Sequence, residues 1–129
     1  MNVVLLCVAI LTFLLLALSI NVSRLRRKSR TDNPPPESAI PTAVRAQGNA
    51  SEYIPVFIAL LLYVDAVPTA PRAFVVAVAI LALASRTVHA IGMLSIPSVE
   101  RRHPFRPLGA LGTYVSLLLL GAALLVHAL

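Results

Sequence analysis

The sequence is poor in cysteine and in charge. Its 129 residues include one cysteine, Cys7, and only 12% of them are Asp, Glu, Lys or Arg. A lone cysteine excludes an intrachain disulfide and a cysteine-based metal site, since both need further thiols. With 58% of residues hydrophobic, against roughly 45–50% in soluble domains, the composition argues against a water-soluble protein. We expect one membrane domain over residues 1–129.

Long apolar runs take up most of the chain. About 20 apolar residues suffice for a helix to cross ~30 Å of hydrocarbon, and the runs predict helices over about 3–24, 40–65, 72–96 and 107–129. A cleaved signal peptide is the alternative for the first run, but its positive charges follow the apolar residues instead of preceding them. The predicted fold class is therefore all-α, an integral membrane four-helix bundle.

Positive charge gathers on one side of this predicted bundle. All Lys and Arg residues except Arg72 lie in or near the loops after helices 1 and 3, so both loops are predicted to be cytoplasmic and both termini to lie outside. The basic run from Arg24 to Arg30 is expected to contact anionic membrane lipid. Because the basic residues do not interleave with aromatic ones, nucleic acid is not an expected partner.

Polar residues inside the apolar runs form two stripes. Arg45, Asn49 and Glu52 share one face of helix 2, and Arg86 and His89 share one face of helix 3. A charge within a span costs about 2.5–3.5 kcal/mol, so it should find a partner or a wet cavity. In one interpretation Glu52 pairs with Arg86 or with a neighbouring subunit. In the other, the stripes line a cytoplasmic pocket for a small zwitterionic or anionic ligand.

Small residues recur along the fourth run. They are Gly109, Gly112, Thr113 and Ser116. Such small-xxx-small spacings allow two helix backbones to approach closely. We expect this face of helix 4 to pack tightly against another helix or another subunit.

The polar stripes carry a family resemblance. The stretch from Arg45 to Pro55, with the pattern R-A-x-x-N-x-x-E-Y-x-P, resembles the second-helix signature of the membrane-associated proteins in eicosanoid and glutathione metabolism, the MAPEG family. Residues 86–92 are similar to that family's third-helix pattern R-x-x-H-A-x-G, and Arg106 stands where members carry an arginine entering helix 4. The resemblance is to a bacterial-type member, which would lie in the inner membrane. It implies a homotrimer that binds glutathione between subunits near the cytoplasmic face.

The resemblance also implies roles for individual residues. Those expected to bind glutathione are Arg24, Arg45, Gln47, Asn49, Glu52, Tyr53, Arg86 and His89. Arg24 would come from the next subunit. Arg106 is the expected catalytic residue, because a nearby guanidinium lowers the pKa of a thiol below its free value of about 8.5 and so increases the nucleophilic thiolate. No metal is expected.

The implied function is a glutathione transferase or peroxidase, with glutathione as co-substrate and an apolar electrophile or lipid hydroperoxide as substrate. Met93 replaces a tyrosine found in several members, and Pro107 and Ala110 replace a serine and a tyrosine, which argues against prostaglandin-isomerase-like activity. The alternative is a non-catalytic membrane scaffold or lipid-binding protein of the same fold. A small transporter is disfavoured, because the stripes lie in one half of the bundle instead of at its midplane.

Overall fold

Each apolar run of the sequence forms a helix. The computed structural model describes residues 1–67, 70–95 and 103–129, and no strand occurs in these ranges. The helices are α1 (Val3–Lys28), α2 (Ala39–Ala66), α3 (Arg72–Leu94) and α4 (Phe105–Ala128). The expected all-α fold with four helices is confirmed.

The helix boundaries differ most from the prediction at the end of α1. This helix continues to Lys28 instead of ending near Arg24. Arginine, leucine and lysine are good helix formers, and Arg26, Arg27 and Lys28 in the last turn place positive charge at the negative end of the helix dipole. The basic run that was expected to form a loop is therefore largely helical.

Some predicted features fall on residues that the structure does not describe. They are the end of helix 3 at Ile96 and the basic loop residues Arg101 and Arg102, all of which lie outside the described residues. Within the described range, α3 ends at Leu94, and the amide of Ser95 donates to the carbonyl of Ile91 at 2.9 Å.

The two middle helices form the centre of the bundle. α1 packs against α2 and α3, whereas α4 packs mainly against α3 and less extensively against α2. α1 and α4 do not contact each other in the described part of the chain. The core lies between these helices and contains, among others, Leu11 of α1, Phe57 of α2, Ala82 of α3 and Leu120 of α4.

The outer helices are apolar on all sides. α1 buries residues such as Leu11 and Leu18, yet it also exposes Phe13 and Ile20 to the surroundings, and α4 likewise exposes Leu118. A helix that is hydrophobic all round belongs in a membrane or a large core. Among the described residues, three helices are long and apolar enough to cross a membrane, namely α1, α3 and α4.

α2 is not apolar enough to be counted with these three helices, although its 28 residues make it the longest helix. At 1.5 Å per residue it extends about 42 Å. Its sequence is interrupted by Arg45, Asn49, Glu52 and Asp65. Passage of α2 through a bilayer therefore depends on what partners these polar groups find.

One of these groups is neutralised at the end of the bundle opposite the basic segment. Asp65 at the end of α2 forms an ion pair with Arg72 at the start of α3. Asn2 joins both, because its amide nitrogen donates to Asp65 at 3.0 Å and its oxygen accepts from Arg72 at 2.9 Å. The same oxygen accepts from Val4 N and caps α1. The one arginine on the less basic side is thus paired within the protein.

Glycines set the distance between α3 and α4. A β-carbon at Gly109 would lie 2.6 Å from the backbone nitrogen of His89 and from the carbonyl oxygen of Ser85, and one at Gly112 would collide with the Ser85 side chain. The two backbones therefore approach more closely than side chains at these positions would allow. The expected tight packing of this α4 face is confirmed, and its partner is α3 of the same chain.

Substitution of Gly109 by alanine tests this close approach. We expect Gly109→Ala to separate α3 from α4 and destabilise the protein by about 1–3 kcal/mol, the usual cost of overpacking. Gly121→Ala on the same helix is the matched control, because nothing lies within 4 Å of a β-carbon there. Thermal unfolding in detergent measures the difference, and equal unfolding midpoints for the two variants would contradict the packing described.

Candidate functional site

The guanidinium of Arg86 joins three helices inside the bundle. Arg86 lies on α3 and is only 1% exposed. Its Nη2 donates to Asn49 Oδ1 of α2 at 2.7 Å, and its Nη1 donates to Thr113 Oγ1 of α4 at 3.3 Å. The Thr113 hydroxyl donates in turn to the carbonyl oxygen of Gly109 at 2.8 Å. Because the Thr113 hydroxyl uses its proton in this bond, its oxygen is free to accept the hydrogen bond from Arg86.

An aromatic ring covers the same guanidinium. The Cζ atom of Arg86 lies 5.2 Å from the centroid of the Tyr53 ring, within the range of a cation–π interaction. The Tyr53 ring lies against that of Tyr114, with centroids 6.3 Å apart and planes inclined by 58°. Arg86 Nε has no hydrogen-bond partner among the described residues. The buried cation is therefore held by neutral groups and one π face.

Pairing of Glu52 with Arg86 within one subunit is not observed. Glu52 is exposed and forms no ion pair or hydrogen bond in the described part of the chain. Asn49, one turn earlier on α2, takes the position next to the guanidinium. Of the two interpretations of the polar stripes, the one that pairs Glu52 with Arg86 does not hold within one subunit, because neutral acceptors already bind the arginine.

The polar face of α2 is divided between core and surface. Asn49 and Tyr53 are half-buried against Arg86, whereas Arg45 and Glu52 are exposed. Arg45, like Glu52, makes no hydrogen bond or ion pair that involves the described residues. The opposite charges of Arg45 and Glu52 thus lie about one helical turn before and after Asn49, whose side-chain oxygen accepts from Arg86. We call Arg45, Asn49 and Glu52 the polar face of α2.

Gln47 and Arg24 lie apart from this polar face. Gln47 is half-buried and, two residues after Arg45, points to a different side of α2. Arg24 is exposed on α1, and its Nη2 donates to Asn21 of the same helix at 3.2 Å. Neither is brought to the polar face within one subunit. The expected contribution of Arg24 to a neighbouring subunit's site stays a prediction.

His89 connects α3 to the first turn of α4. The His89 ring is buried, with its Nδ1 2.9 Å from the backbone carbonyl oxygen of Arg106. Because a carbonyl only accepts hydrogen bonds, Nδ1 carries the proton. Nearby, a β-carbon at Gly92 would lie 2.8 Å from the Arg106 backbone nitrogen. His89 and Gly92 therefore fix the backbone of the half-buried Arg106 against α3.

Two structural roles were not anticipated from the sequence. Thr113 was noted only as a small packing residue, yet it accepts a hydrogen bond from Arg86. The third-helix pattern R-x-x-H-A-x-G proves to direct Arg86 to α2 and α4, His89 to a backbone carbonyl and Gly92 to a close contact. Met93, which follows this pattern, is buried in the core.

The contrast between a buried and an exposed arginine gives a stability test. We expect Arg86→Met to destabilise the protein by about 1–3 kcal/mol, because the substitution leaves Asn49 and Thr113 acceptors without their donor. Arg45→Met is the matched control and should leave stability within about 0.5 kcal/mol, as surface substitutions usually do. Both are measured by thermal unfolding in detergent. Equal effects would show that the Arg86 hydrogen bonds do not hold the helices together.

Comparison with known proteins agrees with the motifs. The model of the MAPEG family matches residues 4–126, a range that includes all but the ends of α1 and α4. Searches of curated proteins and of solved structures give no significant match. The extent of the family match and the three strongly apolar helices identify an integral membrane protein. The chain belongs to the MAPEG family.

Proposed function

We propose that this protein binds glutathione on the polar face of α2 and uses it as a transferase or peroxidase. The family includes glutathione-related transferases and peroxidases as well as non-catalytic members. The observation that carries the proposal is the unpaired state of Arg45 and Glu52 within the described part of the chain, on either side of an amide that Arg86 holds. This arrangement provides charges for a ligand that carries both signs.

The chemistry of glutathione fits these groups. The tripeptide has two carboxylates, one ammonium group and two amides. The Arg45 guanidinium can hold a carboxylate by two parallel hydrogen bonds, and Glu52 can accept from the ammonium group. Asn49 Oδ1 is already occupied by Arg86, which leaves its Nδ2 to donate to a ligand carbonyl.

A ligand on the exposed polar face of α2 would be better enclosed in an assembly of several subunits than in one subunit alone. Arg45 and Glu52 lie on the surface of one subunit, so a ligand there would be half-covered by that subunit alone. A homotrimer, as the family resemblance implies, would cover the ligand with a neighbouring subunit and bring in its Arg24. The ligand and the neighbouring subunit would then compensate the charges of α2 and allow this helix to cross the membrane as a fourth span. Both termini would lie outside and the basic end would be cytoplasmic. The membrane would be a bacterial inner membrane.

Arg106 is the residue proposed to activate the thiol. It lies half-buried in the first turn of α4, with its backbone against His89 and Gly92 of α3. A guanidinium near the sulfur lowers the thiol pKa. The thiolate then forms a bond to the electrophilic carbon as the leaving group departs with its electron pair. With a hydroperoxide, the sulfur takes the terminal oxygen, an alcohol leaves, and a second glutathione yields the disulfide and water.

Apolar substrates have a direct route to this end of α4. Phe105, Leu108 and Leu111 are exposed around the same first turns, where they would face the acyl chains of a bilayer. Electrophiles or lipid hydroperoxides dissolved in the membrane could thus reach the sulfur without crossing water.

The second candidate is a non-catalytic scaffold or lipid-binding protein of the same fold. It is favoured by the buried Met93, and by Pro107 and Ala110 where some members carry a hydroxyl-bearing residue. In this alternative the protein would bind glutathione or a lipid, and a bound glutathione would keep its thiol protonated and unreactive. The state of the bound thiol distinguishes the two functions.

Charge removal on the polar face tests glutathione binding. We expect Glu52→Gln to weaken glutathione binding about tenfold or more, because the ammonium group loses a charged acceptor worth about 1.5–3 kcal/mol. Glu37→Gln, at an exposed glutamate of the loop before α2, is the matched control and should bind as the wild type does. Equilibrium dialysis in detergent measures both affinities. Unchanged binding by Glu52→Gln would refute the site assignment.

Substitution of Arg106 tests activation of the thiol. In the wild type, the ultraviolet absorbance of the thiolate should appear on glutathione binding at neutral pH, because its pKa falls below the free value of about 8.5. Since a depressed thiol pKa makes the thiolate available above that pKa, activity should fall as pH drops below it. Arg106→Met should shift this profile to higher pH and reduce conjugation of an apolar electrophile at neutral pH at least tenfold, with little change in glutathione affinity.

Arg30→Met, at an exposed arginine beyond the end of α1, serves as the control for this experiment. It should keep the wild-type pH profile. Binding of glutathione by the wild type without any thiolate signal would support the non-catalytic alternative instead.

A further inference from the structure

The side chain of His89 binds the backbone of the residue that is proposed to activate the thiol. His89 is 9% exposed, and its Nδ1 donates to the carbonyl oxygen of Arg106 at 2.9 Å. On its backbone side it lies against Gly109, since a β-carbon there would be 2.6 Å from the His89 nitrogen. His89 is therefore enclosed between α3 and the start of α4, and little of it is open to a ligand.

The first turn of α4 has few strong hydrogen bonds of its own. α4 begins after Pro104, which provides no side-chain cap, and Pro107 in this turn has no amide proton. Two of the local bonds are long. The Phe105 amide donates to His103 Nδ1 at 3.3 Å, and the Leu108 amide donates to the carbonyl of the N-cap residue at 3.3 Å. Because helix ends fray readily, contacts from a neighbouring helix are needed to define where this turn lies.

Two contacts from α3 hold the Arg106 backbone in this turn. His89 binds its carbonyl oxygen, and the absence of a side chain at Gly92 lets its nitrogen approach α3, because a β-carbon there would lie 2.8 Å from that nitrogen. The backbone from which the guanidinium extends is thus fixed on both sides of its Cα atom. The effect of a charge on a thiol pKa depends on the distance between the charge and the sulfur. A displacement of about 1 Å can reduce a catalysed rate about 10²-fold.

We propose that His89 is a positioning residue, which holds the first turn of α4 so that the Arg106 guanidinium lies at the sulfur of bound glutathione. This inference rests on the proposed function. The family resemblance implied instead that His89 binds glutathione directly, and only Nε2 would be open for that, because Nδ1 is bound to the Arg106 carbonyl. The contacts of His89 with α4 favour positioning. Its imidazole then acts on the reaction through Arg106 and contributes nothing to glutathione affinity.

Amide substitutions separate positioning from direct binding. The side-chain nitrogen of an asparagine lies close to where a histidine has Nδ1, whereas that of a glutamine lies close to Nε2. Because the asparagine amide is a hydrogen-bond donor, His89→Asn should keep the bond to the Arg106 carbonyl, the thiolate absorbance and most of the conjugation activity. His89→Gln and His89→Leu should raise the pH at which the thiolate appears and reduce conjugation at neutral pH about tenfold or more. Glutathione affinity, measured by equilibrium dialysis, should be unchanged in all three variants.

Two further measurements serve as controls. His127→Leu removes an exposed imidazole near the end of α4 and should have the wild-type thiolate profile. The chain has three histidines, so the imidazole nitrogen NMR signals of His89 can be assigned by comparison with the spectrum of His89→Asn. In the wild type without glutathione, these signals should show a proton on Nδ1. This second readout does not depend on the proposed function.

Several results would overturn the role assigned to His89. Rescue by glutamine but not by asparagine, with weakened glutathione binding in the asparagine variant, would assign His89 to the ligand. Wild-type conjugation by His89→Leu would show that the contact has no effect on the reaction, and activity losses that followed the unfolding midpoints of the variants would leave only a packing role. A proton on Nε2 would remove the hydrogen bond itself. If His89 carries its proton on Nδ1 but the wild type forms no thiolate with glutathione, the proposed function fails, and the positioning role fails with it.

Discussion

A buried arginine in a membrane bundle must be supplied with hydrogen-bond acceptors, and the arrangement around Arg86 follows from that requirement. The guanidinium is shielded from water, since Arg86 is 1% exposed. Moving a charge out of water costs much free energy unless its hydrogen-bond donors find acceptors. Asn49 and Thr113 provide acceptors from two other helices. Three helices are consequently held in one register around a single side chain, and the glycines of α4 let the backbones come close enough for those contacts.

The same requirement shapes the outer surface. Because Asn49 turns its oxygen toward Arg86, its amide nitrogen is the group left for other partners. Because the neutral side chains of Asn49 and Thr113 bind the Arg86 guanidinium, Glu52 and Arg45 take no part in holding the helices together, and both stay exposed on α2. One interaction inside the bundle thus leaves opposite charges available outside it. This division between a structural cation and two surface charges is the physical basis for the proposed glutathione site.

Much of the fold could be predicted from the sequence, because long apolar runs and helix periodicity are local properties. The helices were expected close to where they form, except that the basic residues after Arg24 continue α1. Helix-forming tendency outweighed the loop expectation there. The pairing of Arg86 could not be predicted, because periodicity places residues on a face but does not say which helix that face meets. Pairing with Glu52 was one of the interpretations that the sequence left open, whereas the structure shows Asn49 and Thr113 accepting the hydrogen bonds of Arg86.

A double-mutant cycle between Arg86 and Asn49, with glutathione affinity as the readout, tests the central claim most directly. If Arg86 acts on the ligand by orienting the Asn49 amide, Arg86→Met and Asn49→Ala will each weaken binding. The double variant will then bind about as weakly as Asn49→Ala alone, with a coupling of about 1 kcal/mol or more. Additive losses, or an Arg86→Met variant that binds glutathione as tightly as the wild type, would contradict the account.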